Sequence, residues 1–171
     1  PGATTSRGFA RGEAGGFTPV EASTGIAAGE VVYAGYDDGG ALVGVAVEAQ
    51  GMGYQDVIRL LYGYSFQREA IIGMKVLESK ETPGLGDKII TDPEFLSNFA
   101  ALDVSLGPDA AGLAHPIVAV KHGEKTSEWE IDGITGATIS SVAIAGILDR
   151  SAGRWIANLR NGRPTFEEVQ P

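Results

Sequence analysis

Apolar and polar positions alternate along the middle of the chain and change to a helical period near its end. From residue 30 the run "EVVYAGY" is β-branched and aromatic, "DDGG" interrupts it, and "ALVGVAVEA" alternates again, which predicts a hairpin over a tight turn. "VIRLLYGYSF" has a composition that suits a helix. Its Gly and aromatic residues, followed by polar "QRE" and then "AIIGMKVLES", favour a second hairpin. "TDPEFLSNFAAL" predicts a short helix with Asp92 as N-cap and Pro93 at the first helical position. "PIVAVKH" and "SEWEIDGI" read as strands around a "GEK" turn. "ISSVAIAGILDRSAGRWIANLRNG" predicts a final helix with Val142, Ala145, Leu148, Ile156 and Leu159 at helical spacing, closed by Asn161-Gly162 and Pro164.

Strands in pairs with helices set apart predict an α+β fold, a twisted antiparallel sheet with helices packed on it. Residues 1–29, rich in Gly, Ala, Ser and Thr and without periodicity, read as a loose or partly helical N-terminal arm, and 30–171 as the folded domain. The chain begins at Pro1, so a signal or membrane anchor removed ahead of it is an open expectation.

Composition narrows the chemistry. A formal charge of −9 disfavours phosphate backbones, so nucleic acid is not expected as a partner. With no cysteine, disulfides, thiol catalysis, iron–sulfur clusters and Cys-ligated zinc are excluded. His115 and His122 have no partner at metal-ligand spacing, and Asp37-Asp38 before Gly-Gly read as turn residues. No G-x-S-x-G, H-E-x-x-H or Walker P-loop is present.

Three stretches remain. "DGITGATISS", residues 132–141, crowds hydroxyls at the mouth of the last helix, where unpaired N–H groups favour a phosphate; Gly133 and Gly136 would let the backbone approach it. Simple N-capping by Thr or Ser is the alternative. "ETPGLGDK", residues 81–88, reads either as a surface turn or as a second loop holding a phosphate or a ring. "GMGYQD", residues 51–56, places Tyr54 in a bulge, half-buried, or as a wall against a flat ring.

Taken together, "GMGY", "ETPGLG" and "DGITGATISS" in this order resemble the FMN-binding domain of the RnfG/NqrC family over roughly residues 30–160. These are flavoprotein subunits of the Rnf and Na+-translocating NADH:quinone oxidoreductase complexes. The resemblance implies FMN attached covalently through a phosphoester to the last Thr of the motif, Thr138, with Thr135, Gly136 and Ala137 completing it. It implies that the loop with Glu81, Thr82, Gly84, Leu85 and Gly86 lies along the flavin, and that an FAD-using, Mg2+-dependent flavin transferase installs the group outside the cytoplasm. An extracytoplasmic domain, membrane-anchored in the full protein and partnered by other members of a redox complex, is the implied setting. From loop position, Lys88 is expected to offer positive charge to the flavin, and Tyr54, Leu85 and Ile134 to form apolar walls. An electron carrier is favoured over an independent enzyme; a small flavin reductase or a free-standing extracellular flavin carrier are the alternatives.

Overall fold

The computed structural model describes residues 2–12, 15–20 and 30–168. Seven strands form one sheet: β1 (Thr5–Arg11), β2 (Phe17–Val20), β3 (Val31–Tyr36), β4 (Leu42–Met52), β5 (Val57–Ser65), β6 (Ala70–Glu78) and β7 (Leu102–Asp103). Their order is β2-β1-β3-β4-β5-β6-β7, and every neighbouring pair is antiparallel. Both expected hairpins are present. Asp37 makes the first turn, its Oδ1 accepting from the amides of Gly39 and Ala41 at 2.9 Å each. The second pairs Leu61 with Lys75 and Gly63 with Gly73.

Alternation fixes which side is core. Val32, Ala34 and Tyr36 of β3, Val45 and Val47 of β4, and Ile58, Leu60 and Tyr62 of β5 are buried on one face. Against that face lies the helix of Thr138–Glu168, which contributes Ile144, Leu148, Trp155, Ile156 and Leu159. Two short helices, α1 (Lys88–Thr91) and α2 (Pro93–Ser97), follow β6, and the long helix is α3. Asp92 caps α2 as expected, its Oδ1 accepting from Glu94 N and Phe95 N at 3.0 and 3.1 Å.

Four sequence expectations need correction. Residues 5–11 and 17–20 are strands of the main sheet and no loose or helical lead-in; Phe9 and Phe17 are buried under the end of α3. Residues 21–29 of the expected arm lie outside the described residues. The strands β8 (Val118–Val120) and β9 (Glu130–Asp132) pair in parallel and not as a hairpin. Two successive turns between them, closed by Glu124 N→Lys121 O at 2.9 Å and Glu130 N→Ser127 O at 3.1 Å, reverse the chain twice.

The Asn161-Gly162 and Pro164 stop is overrun, since α3 continues to Glu168. Proline removes one helical hydrogen bond. Tertiary packing outweighs that loss: Phe166 stacks edge-on against Phe9 at 5.0 Å, and Tyr36 Oη donates to its carbonyl at 2.8 Å. Gly162 is there for packing, because a Cβ would stand 2.4 Å from the Phe17 ring. Finally Val142, placed on the core stripe by spacing, is 53% exposed.

Candidate functional site

Between β9 and α3 the chain turns sharply at Ile134–Ala137, with Ala137 N donating to Ile134 O at 3.0 Å. Gly136 occupies the third position at φ 84°, a backbone state that glycine adopts without strain. The first i→i−4 bond of α3 is Ser141 N→Ala137 O at 3.0 Å. By helix geometry the amides of Thr138, Ile139 and Ser140 precede it and are left for other partners.

The three hydroxyls behind this turn have three different settings. Ser141 is buried; its Oγ donates to Ala137 O at 3.0 Å and accepts from Ile134 N at 3.1 Å, so it pins the turn to the helix. Ser140 is buried too, and its Oγ donates to Glu81 Oε2 in a short hydrogen bond. Thr138 is exposed, and no hydrogen bond engages its hydroxyl among the described residues. Residue 137, which precedes the helix, is alanine and cannot cap by side chain, so N-capping by a Thr or Ser hydroxyl does not account for the motif.

The "ETPGLG" loop repeats the same turn. Leu85 N donates to Thr82 O at 3.1 Å, Pro83 sits at the second position, and Gly84 at the third has φ 74°. A Cβ on Gly84 or on Gly136 would meet nothing within 4 Å, so both turns present open backbone. Gly133 differs: its Cβ would lie 2.7 Å from Val120 O, so its close approach is to β8 and not to a ligand.

Glu81 joins three segments. It is 5% exposed. Oε1 accepts from the Gln55 amide at 3.0 Å, while Oε2 takes the Ser140 hydroxyl. Gln55 Nε2 reaches back to Thr82 Oγ1 at 2.9 Å. The 51–56 loop, the 81–86 loop and the first turn of α3 therefore meet at one carboxylate. Nearby, a hydrogen bond from Lys80, helped by the Val57 amide, holds the Asp56 carboxyl below its ordinary range.

Around this junction apolar side chains face solvent. Tyr54 is 61% exposed and not half-buried, Leu85 is 52% exposed, and Ile139, with no place among the expected walls, is 57% exposed. Ile134 is buried in the core. Lys88 and Thr135 line a cavity of 230 Å³ with Asp92, Glu94, His122 and Asp132. Asp132 also accepts from Gly123 N at 2.7 Å and lies 3.5 Å from His122 Nδ1. His115 stacks on Trp129 at 3.8 Å. A larger hollow of 480 Å³ on the outer sheet face shares no residue with these loops.

Sequence reasoning found the three loops but missed Gln55, Ser140 and Ile139 as parts of one junction. The structure shows why Gly53 and Gly86 stand where they do, since a Cβ on either would collide with Glu81.

A single long helix packed across a seven-stranded antiparallel sheet, with an exposed Thr138 on its first turn after the open Gly136 turn, defines a small α+β domain. The chain belongs to the FMN-binding domain family, whose model matches residues 53–152, more than half of its length. It is similar to the RnfG protein of the ion-translocating oxidoreductase complex of Methanosarcina acetivorans, 39% identical over 116 residues, covering 68% of this chain and 53% of that protein. The Escherichia coli RnfG protein is 35% identical over 100 residues, covering 58% of this chain and 43% of that protein. The chain thus spans about half the length of the curated relatives it matches.

Among solved structures, Shewanella oneidensis NqrC aligns with a TM-score of 0.57 at 27% identity, over 81% of this chain and 59% of that one. The NqrC protein of the Na+-translocating NADH-quinone reductase from Parabacteroides distasonis aligns with a TM-score of 0.66 at 20% identity, over 99% and 80%, which bears on the fold. The residues present suit FMN. The open turn at Gly136 leaves room for a phosphate beside the α3 N-terminus, and exposed Tyr54, Leu85 and Ile139 suit a flat, largely apolar ring.

Proposed function

We propose that this chain is the flavin-carrying domain of an electron-transfer subunit, with FMN held by a phosphoester to Thr138. The observation that carries this reading is the exposed Thr138 hydroxyl, free of hydrogen bonds on the first turn of α3, while its neighbours Ser140 and Ser141 are both buried and engaged. A phosphodiester anion at a helix N-terminus gains about 0.3–1 kcal/mol when exposed. That is too little to retain a cofactor, and a covalent bond removes dissociation.

The bond that forms is Thr138 Oγ1–P. It replaces the pyrophosphate linkage of FAD, AMP leaves, and the hydroxyl proton passes to a base. Nothing basic hydrogen-bonds the Thr138 hydroxyl among the described residues, and an unactivated hydroxyl is a poor nucleophile. Base and Mg2+ are therefore supplied in trans by a flavin transferase. Bound FMN supplies the redox chemistry. Exposed Tyr54, Leu85 and Ile139 would face its apolar ring, Thr135, Gly136 and Ala137 would shape the turn beside its phosphate, and Lys88, which lines a cavity with Thr135, would offer positive charge.

The relatives named as subunits of ion-translocating oxidoreductase complexes support a place within or beside such a complex. The extracytoplasmic side is part of the proposal and rests on the family resemblance alone. No helix among the described residues is long and apolar enough to cross a membrane.

The test is co-expression with a flavin transferase, then denaturation. The intact mass should rise by one FMN minus one water, with in-gel flavin fluorescence, and Thr138→Ala should abolish both. Flavin retained in that variant places the attachment elsewhere; an unmodified wild-type mass removes the reading.

A further inference from the structure

We propose that Glu81 is a positioning residue, acting through Ser140 to aim Thr138 outward and to lock the 82–86 loop beside it. The inference rests on the reading of Thr138 as the attachment residue.

Both oxygens of the Glu81 carboxylate are engaged inside the protein, one by the Gln55 amide and one by the Ser140 hydroxyl. Its surroundings are shaped to enclose it. A Cβ on Gly53 would stand 2.5 Å from Oε1, and one on Gly86 would stand 2.7 Å from both Oε2 and Ser140 Oγ. A side chain 5% exposed, boxed by two glycines from two segments, is in no position to reach a surface group. A buried carboxylate is costly unless it is hydrogen-bonded, and both oxygens of Glu81 are.

What the carboxylate governs follows from helix geometry. Residues two apart on an α-helix point about 200° apart. Anchoring Ser140 inward therefore sets Thr138 outward, as their burial shows. The same carboxylate fixes where the Gly84 and Gly136 turns stand relative to each other, because it links the start of the 81–86 loop to the first turn of α3. Misplacement of a reacting group by about 1 Å can cost about a hundredfold in rate, so the link matters for the modifying step and for the seating of the ring.

A double-mutant cycle decides it. Wild type, Glu81→Ala, Ser140→Ala, the double variant and Glu81→Gln are loaded with a flavin transferase, FAD and Mg2+ well below each variant's unfolding midpoint, and intact mass is followed with time. Glu81→Ala and Ser140→Ala should each slow loading about tenfold, and the double variant should be no slower than the slower single, since the two act as one unit. Glu81→Gln keeps the shape and can hydrogen-bond both partners, so it should load within about threefold of wild type. In protein never exposed to flavin, Glu81→Ala should raise amide exchange together in residues 53–56, 82–88 and 138–141.

Wild-type loading in Glu81→Ala, or additive losses in the double variant, overturns the proposal while leaving attachment at Thr138 intact. Loading that falls only in proportion to unfolded protein overturns it in favour of a purely structural role. Should Glu81→Ala fail to fold, Ser140→Ala decides alone. It must slow loading with a near-native unfolding midpoint, and unchanged loading overturns the proposal. A wild-type chain that stays at unmodified mass overturns both readings.

Discussion

The two ends of α3 are built from opposite materials. Toward its C-terminus the helix buries Trp155, Ile156, Leu159 and Phe166 against β1, β2 and β3, and aromatic rings meet there at 4.8–6.3 Å. At its N-terminus the arrangement is inverted: hydroxyls point inward, at Ser140 and Ser141, and apolar Ile139 and Val142 point to solvent. The first pattern is what hydrophobic burial alone produces. The second is not, and an exposed apolar set beside an engaged carboxylate marks surface kept for something else. With FMN attached at Thr138 as proposed, stability and function are divided along one helix.

The strongest way to break this division is to attack the packed end. Trp155 is 2% exposed, with Phe17 at 6.2 Å and the Arg154 guanidinium 5.3 Å from its ring. Trp155→Ala should cost about 3–5 kcal/mol. In a chain of this size that lowers the thermal midpoint by roughly 6–20 °C. At temperatures where the variant stays folded, flavin loading at Thr138 should keep its wild-type rate. Slow loading in folded Trp155→Ala would show that the two ends are coupled and the division false.

That division also explains what could be seen in the sequence. The β3–β4 and β5–β6 hairpins were legible because one face of each is buried and the other solvated, which writes alternation into the chain. β1 was hidden: "TSRGFAR" buries little beyond Phe9, and small residues at Gly8 and Ala10 leave no pattern. The helix end was misjudged because local signals at Gly162 and Pro164 lost to Phe17 and Phe166, contacts made far along the chain. At the site, the three loops were legible through the family resemblance. The Glu81–Ser140 bond was not, since it joins residues 59 apart and neither residue type announces such a partner.

A smaller effect separates two kinds of glycine in one loop. Gly86 faces Glu81 and Ser140, whereas Gly84 faces open space at φ 74°. Gly86→Ala should cost about 1–3 kcal/mol by overpacking. It should also slow flavin loading, because the Glu81–Ser140 link must shift to admit the methyl group. Gly84→Ala meets no atom and should cost about 1–2 kcal/mol from its left-handed backbone alone. Urea midpoints measure the stability change in each, and time-resolved intact mass measures loading. Equal loading in the two variants would remove the distinction between the closed glycine and the open one.

The smallest expected change in stability tests the exposed apolar set directly. Leu85 is 52% exposed and belongs to a turn closed by backbone groups, so its side chain contributes little to the core. Leu85→Asp should shift stability by no more than about 0.5 kcal/mol, and far-ultraviolet circular dichroism should stay near native. Its effect should fall on the carried ring. A carboxylate placed where an apolar face is expected repels an electron-rich, partly anionic group and admits water. Protein loaded at Thr138 should then show flavin fluorescence less quenched than in wild type, at the same intact mass. Ile139→Asp, on the α3 side of the same junction, should act in the same direction. If Leu85→Asp instead unfolds the domain, the leucine belongs to the core. The N-terminal end of α3 is then held by burial like the other end, and the contrast between them fails.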